Sequence, residues 1–142
     1  MINIENIVVN AVHTALSSYT TQYPNLEIQS MYVQSPSKFP CISVVETSNV
    51  TYQPSHTGLQ EEHARITYDV NVYANDARLK ETAKTLADVV DTAMLNLKFT
   101  RTMSGQTPNI DRTIYRYTMR YEAVVQKGVT DNGKITYQMY HN

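Results

Sequence analysis

The stretch from Ile110 to Gln126 (IDRTIYRYTMRYEAVVQ) constrains the fold more than any other part of the chain. Tyr115, Tyr117, Met119, Tyr121, Ala123 and Val125 fall on one side of an extended backbone. Ile114, Arg116, Thr118, Arg120, Glu122 and Val124 fall on the other. Such alternation among aromatic and β-branched residues is what a half-buried pleat selects. No glycine or proline interrupts the run, so it can sit centrally in a sheet. Its mostly apolar side is expected to face helices, and the side with Arg116, Arg120 and Glu122 to face water or a partner.

A second alternating run, His63 to Ala74, repeats this design. Ala64, Ile66, Tyr68, Val70 and Val72 point one way; His63, Arg65, Thr67, Asp69, Asn71 and Tyr73 point the other. Half-buried antiparallel strands have this pattern. Leu26–Gln34 reads as a strand with a bulge or an edge position near Ser30. Cys41–Thr47, apolar on both sides, reads as an interior strand. Lys98–Gln106 reads as a weaker strand, turned back by Gly105, Pro108 and Asn109 into the Ile110–Gln126 strand. Ile135–Tyr140 forms a last short strand after the Asp131-Asn132-Gly133 turn signal.

Two helices complete the order. Residues 3–19 carry an apolar stripe of Ile4, Ile7, Val8, Ala11, Val12, Ala15, Leu16 and Tyr19, with Asn3 as N-cap. Residues 77–97 carry a stripe of Leu79, Ala83, Leu86, Val90, Ala93, Met94 and Leu97, capped by Asn75-Asp76. Asp88 and Asp91 lie off that stripe and read as a solvated helix face. The fold class is therefore α+β: an antiparallel, at most mixed, sheet with two helices on one face, ordered α-β-β-β-α-β-β-(β). Strands that follow one another through loops are expected to pair antiparallel. One domain is expected over 1–142, with 128–142 able to serve as an assembly arm.

Composition narrows the function. Twelve basic against thirteen acidic side chains give a formal net charge of −1, without the cationic surplus by which duplex-DNA binders displace counterions. A single cysteine, Cys41, excludes an internal disulfide and any multi-cysteine zinc site. No apolar run approaches a membrane span, and no signal-peptide pattern opens the chain, so cytoplasmic synthesis is expected. Tyrosine is plentiful (11) while tryptophan is absent, and tyrosine suits interfaces because it joins a large apolar body to a polar tip.

Ser48–Glu62, with Pro54 and Gly58, lacks any period and reads as a long loop. His56, Glu61, Glu62 and His63 match neither a zinc-protease helix nor a calcium loop in spacing. Cys41 reads as a buried structural thiol. Neither a phosphate-binding glycine loop nor a nucleophile elbow is present. No enzyme, metal or cofactor is expected.

The short N-terminal helix, the Pro40-x-Ile42-x-Val44 strand and the Ile66-Thr67-Tyr68-Asp69-Val70 strand form an ordered series. The long helix then leads through Phe99 and Arg101 to Tyr115-Arg116-Tyr117 and Arg120-Tyr121-Glu122. This series resembles the tail-terminator (tail-completion) proteins of long-tailed bacteriophages and phage-tail-like particles. The resemblance implies a virion protein that forms a ring, typically a hexamer, on the head-proximal end of the tail tube. Its implied partners are copies of itself, the tail tube protein and the head–tail connector, with double-stranded DNA passing through the lumen unread. The surfaces expected to make those contacts are the Ser48–Glu62 loop, the Arg101–Asn109 turn and the C-terminal strand. Tyr52, His56, Arg65, Arg101, Arg116, Arg120 and Tyr137 are the candidate assembly residues. A head-completion or connector-stopper neck protein is the nearest alternative. An enzyme built on His56, Glu61, Glu62 and His63, or a cellular binding module, is a different class.

Overall fold

In the sheet, β1 (Glu27–Gln29), β2 (Cys41–Thr51), β3 (His63–Ala74), β4 (Thr100–Gln106), β5 (Tyr115–Val129) and β6 (Ile135–His141) are joined around two helices, α1 (Glu5–Leu16) and α2 (Leu79–Asn96). This computed structural model describes residues 1–31, 36, 38–51, 63–75, 79–107, 113–129 and 135–141. Among those residues the strand order is β1-β2-β3-β5-β4, and β6 also pairs with β5. The α+β order read from the sequence is the observed one.

β5 is the organising strand. Along one edge it pairs with the whole of β3, from His63↔Gln126 to Ala74↔Tyr115. Along its other edge β4 pairs with Tyr117–Glu122 and β6 with Ala123–Val129, one after the other. Its expected start is corrected: Thr113 and Ile114 form a turn before the strand, which begins at Tyr115 and runs on to Val129. Residues 110–112 lie outside those described.

The helix-covered face forms the core. Ala64, Ile66, Tyr68, Val70 and Val72 of β3 are fully buried, as are Tyr121, Ala123 and Val125 of β5. Val8, Val12 and Leu16 of α1 join Ala83, Leu86, Val90 and Met94 of α2 above them. Tyr68 meets Phe99 edge-to-face, with ring centroids 5.8 Å apart. Removing this much apolar surface from water is the main stabilising term, roughly 25 cal/mol per Å² buried.

Local signals explain the element ends and several corrections. The first helix is shorter than residues 3–19: α1 stops at Leu16 and one 3-10 turn continues through Tyr19. Ile4, not Asn3, occupies the N-cap position, although the Asn3 side-chain oxygen still accepts the Glu5 N–H at 3.1 Å. Ile7, expected on the buried stripe, is exposed. α2 closes with Lys98 in the left-handed region at φ 75. The Phe99 N–H bonds the Met94 carbonyl and the Lys98 N–H bonds that of Leu95, the paired arrangement that satisfies the last carbonyls of a helix. The predicted cap at Asn75-Asp76 reaches into 76–78, outside the described residues.

β1 is only three residues long and, against the antiparallel expectation, runs parallel to β2 in the register Glu27↔Cys41 to Gln29↔Ser43. Its place at the sheet edge agrees with the sequence reading. β2 continues past the expected end at Thr47 to Thr51, absorbing a bulge between Glu46 and Ser48. Ser48–Thr51 is therefore strand rather than loop, and 52–62 lie outside the described residues. β4 begins at Thr100, because Lys98 turns the chain and Phe99 is buried in the core.

Candidate functional site

The face of the sheet away from the helices is expected to meet water or a partner. At its centre is a ladder of polar groups that satisfy one another. Asn71 stands opposite Ser43 on β2 and Thr118 on β5. Its amide donates to Ser43 Oγ at 3.3 Å, while its oxygen accepts from Thr118 Oγ1 at 2.7 Å and Arg116 Nε at 3.0 Å. Thr107 Oγ1 donates to Thr118 Oγ1 at 2.6 Å. The Arg116 guanidinium also lies 5.7 Å from the centroid of the Tyr73 ring. Ser43, Asn71, Tyr73 and Thr118 are all buried, and Thr67 is 8% exposed. The centre of this face is therefore closed by its own pairing, as buried polar groups require.

One step along, Arg120 Nε and Nη2 reach Asp69 Oδ1 and Oδ2 at 2.9 and 3.2 Å. The fork geometry matches the carboxylate, and the bond to Asp69 raises the Arg120 pKa further. Thr67 donates to Glu122 at 3.4 Å. Cross-strand pairing thus engages Arg116 and Arg120 within the subunit; Arg65 is exposed on the same face, opposite Val50 and Val124.

Arg101 lies elsewhere. It projects to the helix-covered side and binds Asp91 at 2.9 Å. Asp91 also accepts the Tyr121 hydroxyl at 2.7 Å. The reading of Asp91 as a solvated helix residue is corrected: its side chain is 13% exposed and ties α2 to β4 and β5. No motif marks it, because both partners are distant in sequence. Burial, followed by the bond to Asp91, raises the Tyr121 pKa.

Tyr137 lies on β6 opposite Lys127 and packs against the edge of the core. Tyr52 and His56, with Glu61 and Glu62, lie outside the described residues. The structure therefore separates the described candidates: Arg65, Arg116 and Arg120 share the open face, whereas Arg101 and Tyr137 do not.

Sequence reasoning named the segments of the rim, Ser48–Glu62, Arg101–Asn109 and the C-terminal strand, but not the residues that form it. The large apolar side chains left exposed on the open face, among the described residues, are Val50 on β2 (58%), Met103 on β4 (42%) and Tyr140 on β6 (40%). All three stand at lateral margins of the sheet. Isolated strand alternation cannot reveal this, because margin and centre differ only in pairing partners.

Among the described residues, the candidate metal-ligating and nucleophilic groups do not converge. Burial, then Glu27, pushes the Cys41 thiol up to about 11, so it is a poor nucleophile. Among the described residues, no group of three His, Cys, Asp or Glu side chains could hold a metal ion, and no helix is long and apolar enough to cross a membrane. A groove of about 840 Å³ between α1 and α2 is lined largely by small and apolar side chains, including Ala11, Ala15, Val89 and Ala93.

No protein-family model matches the chain, and no curated protein sequence matches it. Among solved structures, the gp17 protein of bacteriophage SPP1 is similar at 16% identity and a TM-score of 0.40, over 92% of this chain and 93% of that one. A likeness that distant bears on neither mechanism nor partners.

Proposed function

We propose that this chain is a structural protein of a phage or phage-tail-like particle: a tail terminator whose ring, of about six copies, caps the head-proximal end of the tail tube. The observation that carries the reading is the order of elements around β5. The Tyr115-Arg116-Tyr117 and Arg120-Tyr121-Glu122 segments, on which the family resemblance rests, form the strand that β3, β4 and β6 all join.

The mechanism is capping by geometry. A head-to-tail interface whose rotation closes makes a ring instead of a filament. One ring face takes the place of the next tube layer; the other offers the connector a docking surface and no further site for tube protein. The closed polar ladder keeps the subunit rigid, since satisfied cross-strand pairs hold register. Near-neutral charge suits a lumen through which DNA passes without being read.

Deleting the gene from its phage tests this reading. A terminator's loss leaves overlong tails or tails that do not join heads. Heads that fill and then leak DNA, with tails of normal length, would instead indicate a connector stopper.

A further inference from the structure

Four strand edges have no described partner strand: the outer edges of β1, β4 and β6, and β2 beyond Ser43. β1 pairs with β2 only at Cys41–Ser43, so the outer edge of β2 from Val45 to Val50 has no partner strand among the described residues. β6 pairs with β5 along one edge only. Natural sheets blunt such edges with short strands, bulges, prolines or charges. β1 is three residues long, β2 carries the Glu46/Ser48 bulge, and β4 carries one between Arg101 and Met103. β6 has none of these devices: ITYQMYH pairs regularly over its length and contains neither proline, lysine nor acidic residue.

The β2 and β6 edges match, the first touching the N-terminal segment through the Asn49 amide, which donates to the Ile2 carbonyl at 2.7 Å. The register places Val50, Arg65, Val124 and Tyr140 in one row on the open face. Val50 and Tyr140 close the two ends of that row, 58% and 40% exposed. Strand direction matches as well. β2, β3, β5 and β6 are successively antiparallel, so a copy placed beside β6 in the same orientation brings its β2 up antiparallel. Aromatic and β-branched residues are favourable cross-strand neighbours.

We propose that β6 of one copy pairs with the Ser48–Val50 stretch of β2 of the next, placing Tyr140 beside Val50 and continuing one sheet from subunit to subunit. This rests on the ring reading and names its lateral contact. The contact is head-to-tail: each subunit gives one edge and receives the other, so it can close into a ring. Tyr140 is preset for it, its hydroxyl held by Gln126 Oε1 at 2.8 Å.

The test is oxidative cross-linking of a Val50→Cys, Tyr140→Cys double variant. Within one subunit the two positions are separated by three strand spacings, about 14 Å. A disulfide needs Cα atoms about 4.4–6.8 Å apart, so any bridge between them joins two copies. Both sites are exposed, and buried Cys41 is a poor competitor. The expected result is a ladder on a non-reducing gel ending at the closed ring, with neither single variant cross-linking. Rings that form without the ladder, or Tyr140→Cys bridging to itself, would overturn the contact while leaving the ring reading intact. Failure of the unmodified protein to form rings, alone or on tail tubes, would overturn both. Hydrogen exchange needs no substitution: assembly should slow the amides of β6, and unchanged exchange in assembled rings would overturn the contact.

Discussion

The two faces of the β3–β5 pair share one backbone register and are held by different physics. Toward the helices, Tyr68 stands opposite Tyr121 and Val70 opposite Met119, all buried among apolar side chains. Away from them, Asp69 stands opposite Arg120 and Asn71 opposite Thr118, and the groups satisfy one another by hydrogen bonding. The first face supplies stability through area removed from water. The second supplies little net energy, because an exchanged hydrogen bond contributes only about 1 kcal/mol. What it gives is register, because a slip by one residue would strand every polar partner.

Substitutions should expose that difference. Leu86→Ala, in the fully buried stripe of α2, should cost roughly 2–5 kcal/mol in denaturant unfolding, because a cavity adds to the lost transfer energy. A loss below about 1 kcal/mol would mean that α2 is not the main cover of the sheet. The facing tyrosines sharpen the comparison within one face. Tyr121→Phe removes the donor to Asp91 and should cost about 1–2 kcal/mol. Tyr68→Phe should be neutral or stabilising, since the Tyr68 hydroxyl is buried with no partner among the described residues. Equal effects would deny that the two hydroxyls differ.

On the open face Arg120→Ala should cost less than about 1 kcal/mol, and less still at high salt, because the Arg120 side chain is 47% exposed. A larger, salt-independent loss would put the open face on the same footing as the core.

The smallest effect concerns Glu46. Burial first, and Glu5 as a further cause, raise its pKa above the ordinary 4.5, while the Asn49 hydrogen bond lowers it. Its folded form thus holds a proton more tightly than the unfolded chain, and stability falls as pH rises from 4.5 through the folded value. Glu46→Gln should remove that dependence. Its advantage over the parent should be greater at about pH 7 than at about pH 4, read as melting temperature. An advantage that grows toward low pH would reverse the assignment.

The elements legible in the sequence are those whose burial follows a fixed period. β3 is bounded by its alternation from His63 to Ala74, and the long helix by its apolar stripe. β1 is not legible as drawn: its parallel pairing rests on three residues, too few to carry a pattern. The left-handed cap at Lys98 carries no glycine to announce it. Asp91 looks like any polar helix residue until folding sets it against Arg101 and Tyr121. Alternation groups the candidate arginines at 65, 116 and 120 on one face, and the strand register places them there. That Arg116 bonds Asn71 and Arg120 bonds Asp69 within the subunit depends on cross-strand register, which a single strand does not encode. Val50 and Tyr140 lie in segments that the sequence points to, but their place at the two ends of one row depends on the same register.

The central claim is that this chain closes into a ring on a tail tube. Purified protein should be mixed with assembled tail tubes, and both the free and tube-bound material imaged in negative stain. The account predicts closed rings of about six subunits seated at one end of each tube, with tube growth arrested there. Tubes that keep growing in excess protein, with no ring on either end or free in solution, would contradict it.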